Sequence, residues 1–176
     1  MERRNKVIAL FKELGFQLDI SQFDSRLIAQ KVVCLLDLKG LKLRYPYSIY
    51  VRGPYSPELT VDLYTFTNEF WEFKTESRLN NHEKEAADNL NEIFGLKPVL
   101  LEVGAAYGYY MKREKYDPIE ALKRVKRIKP FYSEAQIAVG VSKAKEYLFE
   151  PTAGDLEDLR KETEPWQRAA LRSIRH

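Results

Sequence analysis

The side chains able to do chemistry are few and scattered. The chain has one cysteine, Cys34, and two histidines, His82 and His176. A thiol needs a neighbouring base to act as a nucleophile, and both histidines stand far from Cys34 in sequence. Cys34 falls in the run Val32-Val33-Cys34-Leu35-Leu36, where it reads as a small buried hydrophobe. Neither histidine has a second histidine or cysteine at ligand spacing, so no metal site is expected. Glu83, Glu85, Asp88 and Glu92 lie on neighbouring turns of one predicted helix and read as a solvated acidic face. Gly104 and Gly108 are four apart, but they lie inside a helix, whereas a phosphate loop needs its glycines before one and a lysine after them. Their expected effect is to let a neighbouring helix come close. The reading is a chain that is not an enzyme and takes no cofactor.

Two sets of residues could hold a partner. Tyrosine and arginine suit interfaces, because each carries both an apolar body and a polar end. Tyr47, Tyr50, Arg52, Tyr55 and Glu58 bring these types together around the segment Gly53-Pro54-Tyr55-Ser56-Pro57-Glu58-Leu59. They are the candidate contact surface for an unknown protein, or for self-association. The alternative is nucleic acid. Residues 112–129 hold eight cations against three acids, the most basic stretch of the chain. Such a stripe attracts phosphate by releasing counterions. Lys123, Arg124, Lys126 and Arg127 on it, joined by Arg26, Gln30, Arg44 and Arg52, form the candidate nucleic-acid surface. A solvated helix face gives the same charge pattern.

These residues must be positioned by a small number of elements. Val7, Leu10, Phe11 and Leu14 recur at helical spacing and predict a helix over residues 2–14, stopped by Gly15. Phe16, Leu18 and Ile20 alternate with polar residues and suggest a short strand. Residues 27–38 are apolar except at Gln30, Lys31 and Asp37, which predicts a core helix capped by Ser21 or Asp24 and ended at Gly40. Leu43, Tyr45, Tyr47, Ile49 and Val51 alternate with polar positions over 42–52, an edge strand or a hairpin bent at Pro46. Ser56 then caps a helix from Pro57 to about Phe70. Trp71, Phe73 and Thr75 suggest another short strand.

The second half is helical by periodicity. Gly95 closes one helix and Pro98 opens the next. Asp117 caps a third, and Ser133 with Gln136 makes a capping box for a fourth, ended at Pro151. A final helical segment is interrupted at Pro165, and its Trp166, Ala170 and Ile174 are expected to dock on the body or on another subunit. The expected class is mostly α with a small β element. A winged-helix-like lobe over residues 1–75 is followed by a helical lobe over 76–150 and an extension over 151–176. In a winged-helix layout the helix before the wing enters the DNA groove. Here that helix is the most apolar one, with only Arg26 and Gln30 to reach bases.

The order AQKVVCLL, a Gly-Leu break, YPYSIYVRGPYSPEL and a helix beginning TVDLY resembles the YwgA-type proteins of archaea and bacteria. Residues 129–131 with 134–148 resemble that family's C-terminal helix. The resemblance implies a winged-helix-like or mostly helical N-terminal part and brings no established activity. The GPYSPEL segment is also similar, more remotely, to a segment of the Panacea, or SocA-like, antitoxin domains.

Composition sets the remaining bounds. At 176 residues and 44% hydrophobic, the chain can bury one sizeable core or two small lobes. A net charge of +3 is too balanced to declare a nucleic-acid binder. A single cysteine fits a reducing compartment, no run approaches a bilayer span, and the patch from Val7 to Phe11 is too short for a signal peptide. A cytoplasmic location, away from membranes, is the expectation.

Overall fold

The structure is a computed structural model that describes residues 2–149 and 153–174. It is mostly helical, with one small antiparallel sheet. Helices α1 (Glu2–Leu14) and α2 (Phe23–Leu36) are followed by a hairpin of β1 (Ser48–Tyr50) and β2 (Gly53–Tyr55). Then come α3 (Pro57–Thr65), α4 (Thr67–Trp71), α5 (Asn81–Phe94), α6 (Pro98–Lys112), α7 (Pro118–Ile128), α8 (Glu134–Leu148) and α9 (Ala153–Ile174). Helix α6 is the hub, packing on α2, α7 and α8, while α5 bridges α1, α2 and α8. One continuous apolar core runs from Val7 through Val32–Leu36 and Leu101–Tyr107 to Leu148, and so draws on both halves of the chain.

Helix termini follow the local chemistry. Ser56 accepts from the Leu59 amide at the start of α3, and Asp117 accepts from the Glu120 amide at the start of α7. Ser133 and Gln136 form the reciprocal box on α8. Asn80 and Glu83 form another on α5, so Glu83 is a capping residue rather than part of a free acidic face. It also pairs with Lys6 at 2.9 Å. Gln22, not Ser21 or Asp24, stands at the cap position of α2 and makes no side-chain bond there. The helix then widens into a single π turn over Asp37–Leu41, where Gly40 reverses the chain at φ 113°.

The expected strand over 42–52 shrinks to Ser48–Tyr50. Burial does alternate from Leu43 to Ile49, but only the last residues find a pairing partner, in the register Ser48 to Tyr55, Ile49 to Pro54 and Tyr50 to Gly53. The reversal comes at Val51-Arg52, beyond Pro46. Residues 16–20 and 71–75 form no strand; Phe16 and Leu18 are buried by side-chain packing without a ladder. The helix after Ser56 breaks at Phe66, whose ψ of 35° leaves the helical region. Helix α9 continues through Pro165, and Trp166 on it is 79% exposed. Pro151 and the boundary at 150/151 lie outside the described residues.

Small residues set the spacing of the inner helices. A Cβ on Gly140 would lie 2.5 Å from Val103 Cγ1, and one on Gly104 would lie 2.6 Å from the Phe94 ring. The glycines therefore let α8 and α5 close on α6. In a free helix Gly→Ala would stabilise by about 1 kcal/mol. Here Gly140→Ala is expected to destabilise by about 1–3 kcal/mol in urea unfolding, through overpacking. Adding Val103→Ala should recover much of that loss, and a stabilised Gly140→Ala protein would contradict the packing.

Candidate functional site

The hairpin lies over α2 and α6 and carries an apolar cavity on its flank. Helix α2 supplies Phe23, Leu27, Gln30 and Lys31. The hairpin supplies Tyr50 to Gly53 and Tyr55, and α3 supplies Thr60, Leu63 and Tyr64. The volume is about 370 Å³, within the range of small-ligand or side-chain pockets. Tyr50 and Tyr55 meet edge to face at 5.3 Å between ring centres. Arg52 lies between Phe23 and Phe131, 5.3 Å from each ring centre. Arg26 donates to the Ile20 carbonyl at 2.8 Å and also lines the cavity.

Behind the hairpin lies a buried charge cluster. The Lys129 ammonium donates to Glu102 Oε1 at 2.6 Å, and neither side chain is exposed. The Tyr132 hydroxyl donates to the other Glu102 oxygen, and Arg52 Nε stands 3.5 Å from Oε1. Lys31, 2% exposed, donates to the Pro54 carbonyl at 2.6 Å. Gly53 is where the hairpin comes closest. A Cβ there would lie 3.5 Å from Lys129 Nζ and 3.6 Å from Lys31 Nζ, and its φ of +90° suits only glycine. A buried pair of this kind is costly to break, because the remaining charge loses its partner.

Burial, with repulsion from Lys129 and Arg52, lowers the Lys31 ammonium from 10.5 to about 8. Burial also lowers Lys129, against the pull of Glu102, and raises Tyr132. Burial pushes the Cys34 thiol up to about 12, which leaves it a protonated, inert core side chain. Lys31 thus stands beside the cavity as a buried amine that gives up its proton more readily than a free lysine. Its hydrogen bond goes to a backbone carbonyl rather than to a catalytic acid or base. Among the described residues no three His, Cys, Asp or Glu side chains gather as metal ligands.

The residues expected at a protein interface divide. Tyr50, Arg52 and Tyr55 meet at this cavity. Tyr47 faces a different cavity, and Glu58 pairs with Arg3 at 2.8 Å. The nucleic-acid set divides further. Gln30 is 4% exposed, and its amide is engaged with Ser56 and Thr60, so it is not free to reach a base. Arg26 and Arg52 line the apolar cavity, and Arg44 lines the other one. Arg124 is held by Glu120 at 3.1 Å, over the Tyr116 ring. Lys123, Lys126 and Arg127 remain exposed on α7, while Lys129 points into the core.

Sequence reasoning missed the buried cluster. Its signals were a lone glutamate in the otherwise apolar run PVLLEVGAAYGYY and a lone lysine in IAQKVVCLL. A charge in such a setting must be paired or neutralised.

Titration of Lys31 gives a direct check. Above pH 10.5 neither the folded nor the unfolded chain protonates this amine, and burying it carries no charge penalty. Between 10.5 and about 8 the unfolded chain holds the proton and the folded chain does not, so stability is lost as pH falls through that window. Wild type should therefore gain about 1–3 kcal/mol relative to Lys31→Met as pH rises from about 8 to about 10 in urea unfolding. Parallel pH profiles for the two proteins would contradict the burial of a charged amine. No family model matches this chain, and neither does any curated protein or solved structure.

Proposed function

We propose that the chain is a non-catalytic, cytoplasmic interaction module, of an antitoxin-like regulatory kind, that captures a short segment of a partner protein beside the hairpin. The supporting observation is the cavity itself. Phe23, Tyr50, Tyr55 and Tyr64 give it aromatic walls, and Arg26 and Arg52 also line it. Tyrosine and arginine around a pocket are the usual makings of a binding hot spot. The occupant this chemistry fits is a linear segment with one large apolar side chain next to an aspartate or glutamate. The apolar group fills the cavity, and the carboxylate meets Arg52 or Arg26. The hairpin is pinned from behind by Lys31 and the Glu102 cluster, so the pocket is preorganised.

A nucleic-acid role is the second reading, and the exposed Lys123, Lys126 and Arg127 of α7 favour it. A winged-helix-like docking of residues 1–75 has less support, since α2 would have to enter the groove and its Gln30 and Lys31 are both buried.

Selection from a random peptide library is expected to enrich segments pairing a large apolar residue with an acid. Their affinity should fall about tenfold or more on Tyr64→Ala and on Arg52→Gln. Enriched peptides indifferent to both changes would remove this site. Binding to duplex DNA that drops steeply with salt, and that depends on Lys123, Lys126 and Arg127, would favour the second reading.

A further inference from the structure

A separate cavity of about 740 Å³ shares no lining residue with the first. Four cations line it, Lys42, Arg44, Lys112 and Arg113, against a single acid, Asp37, so three positive charges stand uncompensated. Asp37 is already engaged. One of its oxygens accepts from the Leu43 and Arg44 amides at 2.8 and 3.4 Å, and the other accepts from Arg113 at 2.5 Å. Lys112 donates to the Leu38 carbonyl at 3.1 Å, which holds its ammonium at the cavity. Lys42 and Arg44 form no ion pair among the described residues.

The backbone carrying those two free cations is strained. Lys42 has φ 54° and Arg44 has φ 64°, left-handed conformations that a side chain adopts at a cost. The Asp37 carboxylate holds this loop in place, and both side chains line the cavity as a result. Lys112 is depressed from 10.5 first by burial and then by Lys39, Lys115 and Arg113, so further positive charge gathers behind this wall of the cavity. Strain and unrelieved like charge together mark a place where a ligand supplies the missing term. Leu38, Pro46 and Tyr109 give the cavity an apolar wall as well.

We propose that this cavity binds a small ligand bearing two or three linked phosphates, such as a nucleoside diphosphate. Lys42, Arg44 and Lys112 neutralise the phosphate chain, and the wall of Leu38, Pro46 and Tyr109 takes the organic part. Three uncompensated charges match a linked phosphate chain better than a lone phosphate or carboxylate. The volume suits a nucleotide-sized molecule. The site is independent of the proposed peptide pocket.

Calorimetric titration with pyrophosphate, ADP and inorganic phosphate tests this, in magnesium-free buffer of low ionic strength. Pyrophosphate and ADP are expected to bind saturably with Kd below about 100 µM, and phosphate about tenfold more weakly or worse. The variant Lys42→Asn with Arg44→Asn keeps residues that tolerate the left-handed backbone. It should weaken binding about tenfold or more with little change in melting temperature. Lys112→Gln leaves the strained loop untouched and should weaken binding in the same sense. Tighter binding of ADP identifies a nucleotide and equal affinities an inorganic phosphate chain; both results support the site. Three results overturn it: no saturable binding of either compound at about 1 mM, affinities unchanged in both variants, or a duplex oligonucleotide preferred over ADP through the same residues.

Discussion

From Ala29 onward helix α2 and the turn that follows it are buried through Leu38, and three polar side chains in this stretch must each find a partner. Gln30, Lys31 and Asp37 are 4%, 2% and 8% exposed. An unpaired polar group at such depth costs about 1–3 kcal/mol, more for a charge. Each of the three is satisfied by a backbone group of the chain that follows. Gln30 accepts from the Ser56 amide and donates to the Ser56 carbonyl, fixing the entry to α3. Lys31 holds Pro54 and with it the second strand. Asp37 takes the amides of Leu43 and Arg44 and so forms the left-handed loop. The polar atoms of α2 and of the turn after it thus anchor the following chain at Leu43 and Arg44, at Pro54 and at Ser56.

This arrangement explains how so small a sheet persists. A lone two-stranded hairpin is marginal in water. Here it is held through Lys31 from α2, and through Arg52 by Glu102 of α6, with Gly53 allowing the close approach. The same pinning produces two cavities of opposite character. The one between hairpin, α2 and α3 is walled by aromatic rings. The one around the 42–47 loop gathers cations whose only acid is already engaged. The two proposed occupants, a side-chain anchor and an anionic ligand, therefore fall on different surfaces.

Much of the helical frame was legible from sequence, because amphipathic spacing, proline at the first turn and oxygen-bearing caps act locally. Ser56, Asp117 and the Ser133–Gln136 box are examples. Gly104 and Gly108 also read as points of close approach, although Gly140 escaped notice. The strands were less legible. Alternation over 42–52 reports one-sided burial, and burial by side-chain packing alone produces it as readily as a ladder does. The buried cluster was hidden for another reason. Glu102, Lys129 and Lys31 come from α6, the turn after α7 and α2, and only the fold brings them together. The basic stretch 112–129 looked like one surface because sequence does not reveal direction. Its members turn to a cavity, to a helix face and to the core.

The central claim is that polar groups of α2 hold the segments laid against it. Hydrogen–deuterium exchange on Gln30→Met tests this directly, since methionine keeps the volume and removes both ends of the amide. The account predicts faster exchange confined to residues 54–60, with α5, α6 and α8 as protected as in wild type. Exchange unchanged at 54–60, or raised equally throughout the molecule, would contradict it.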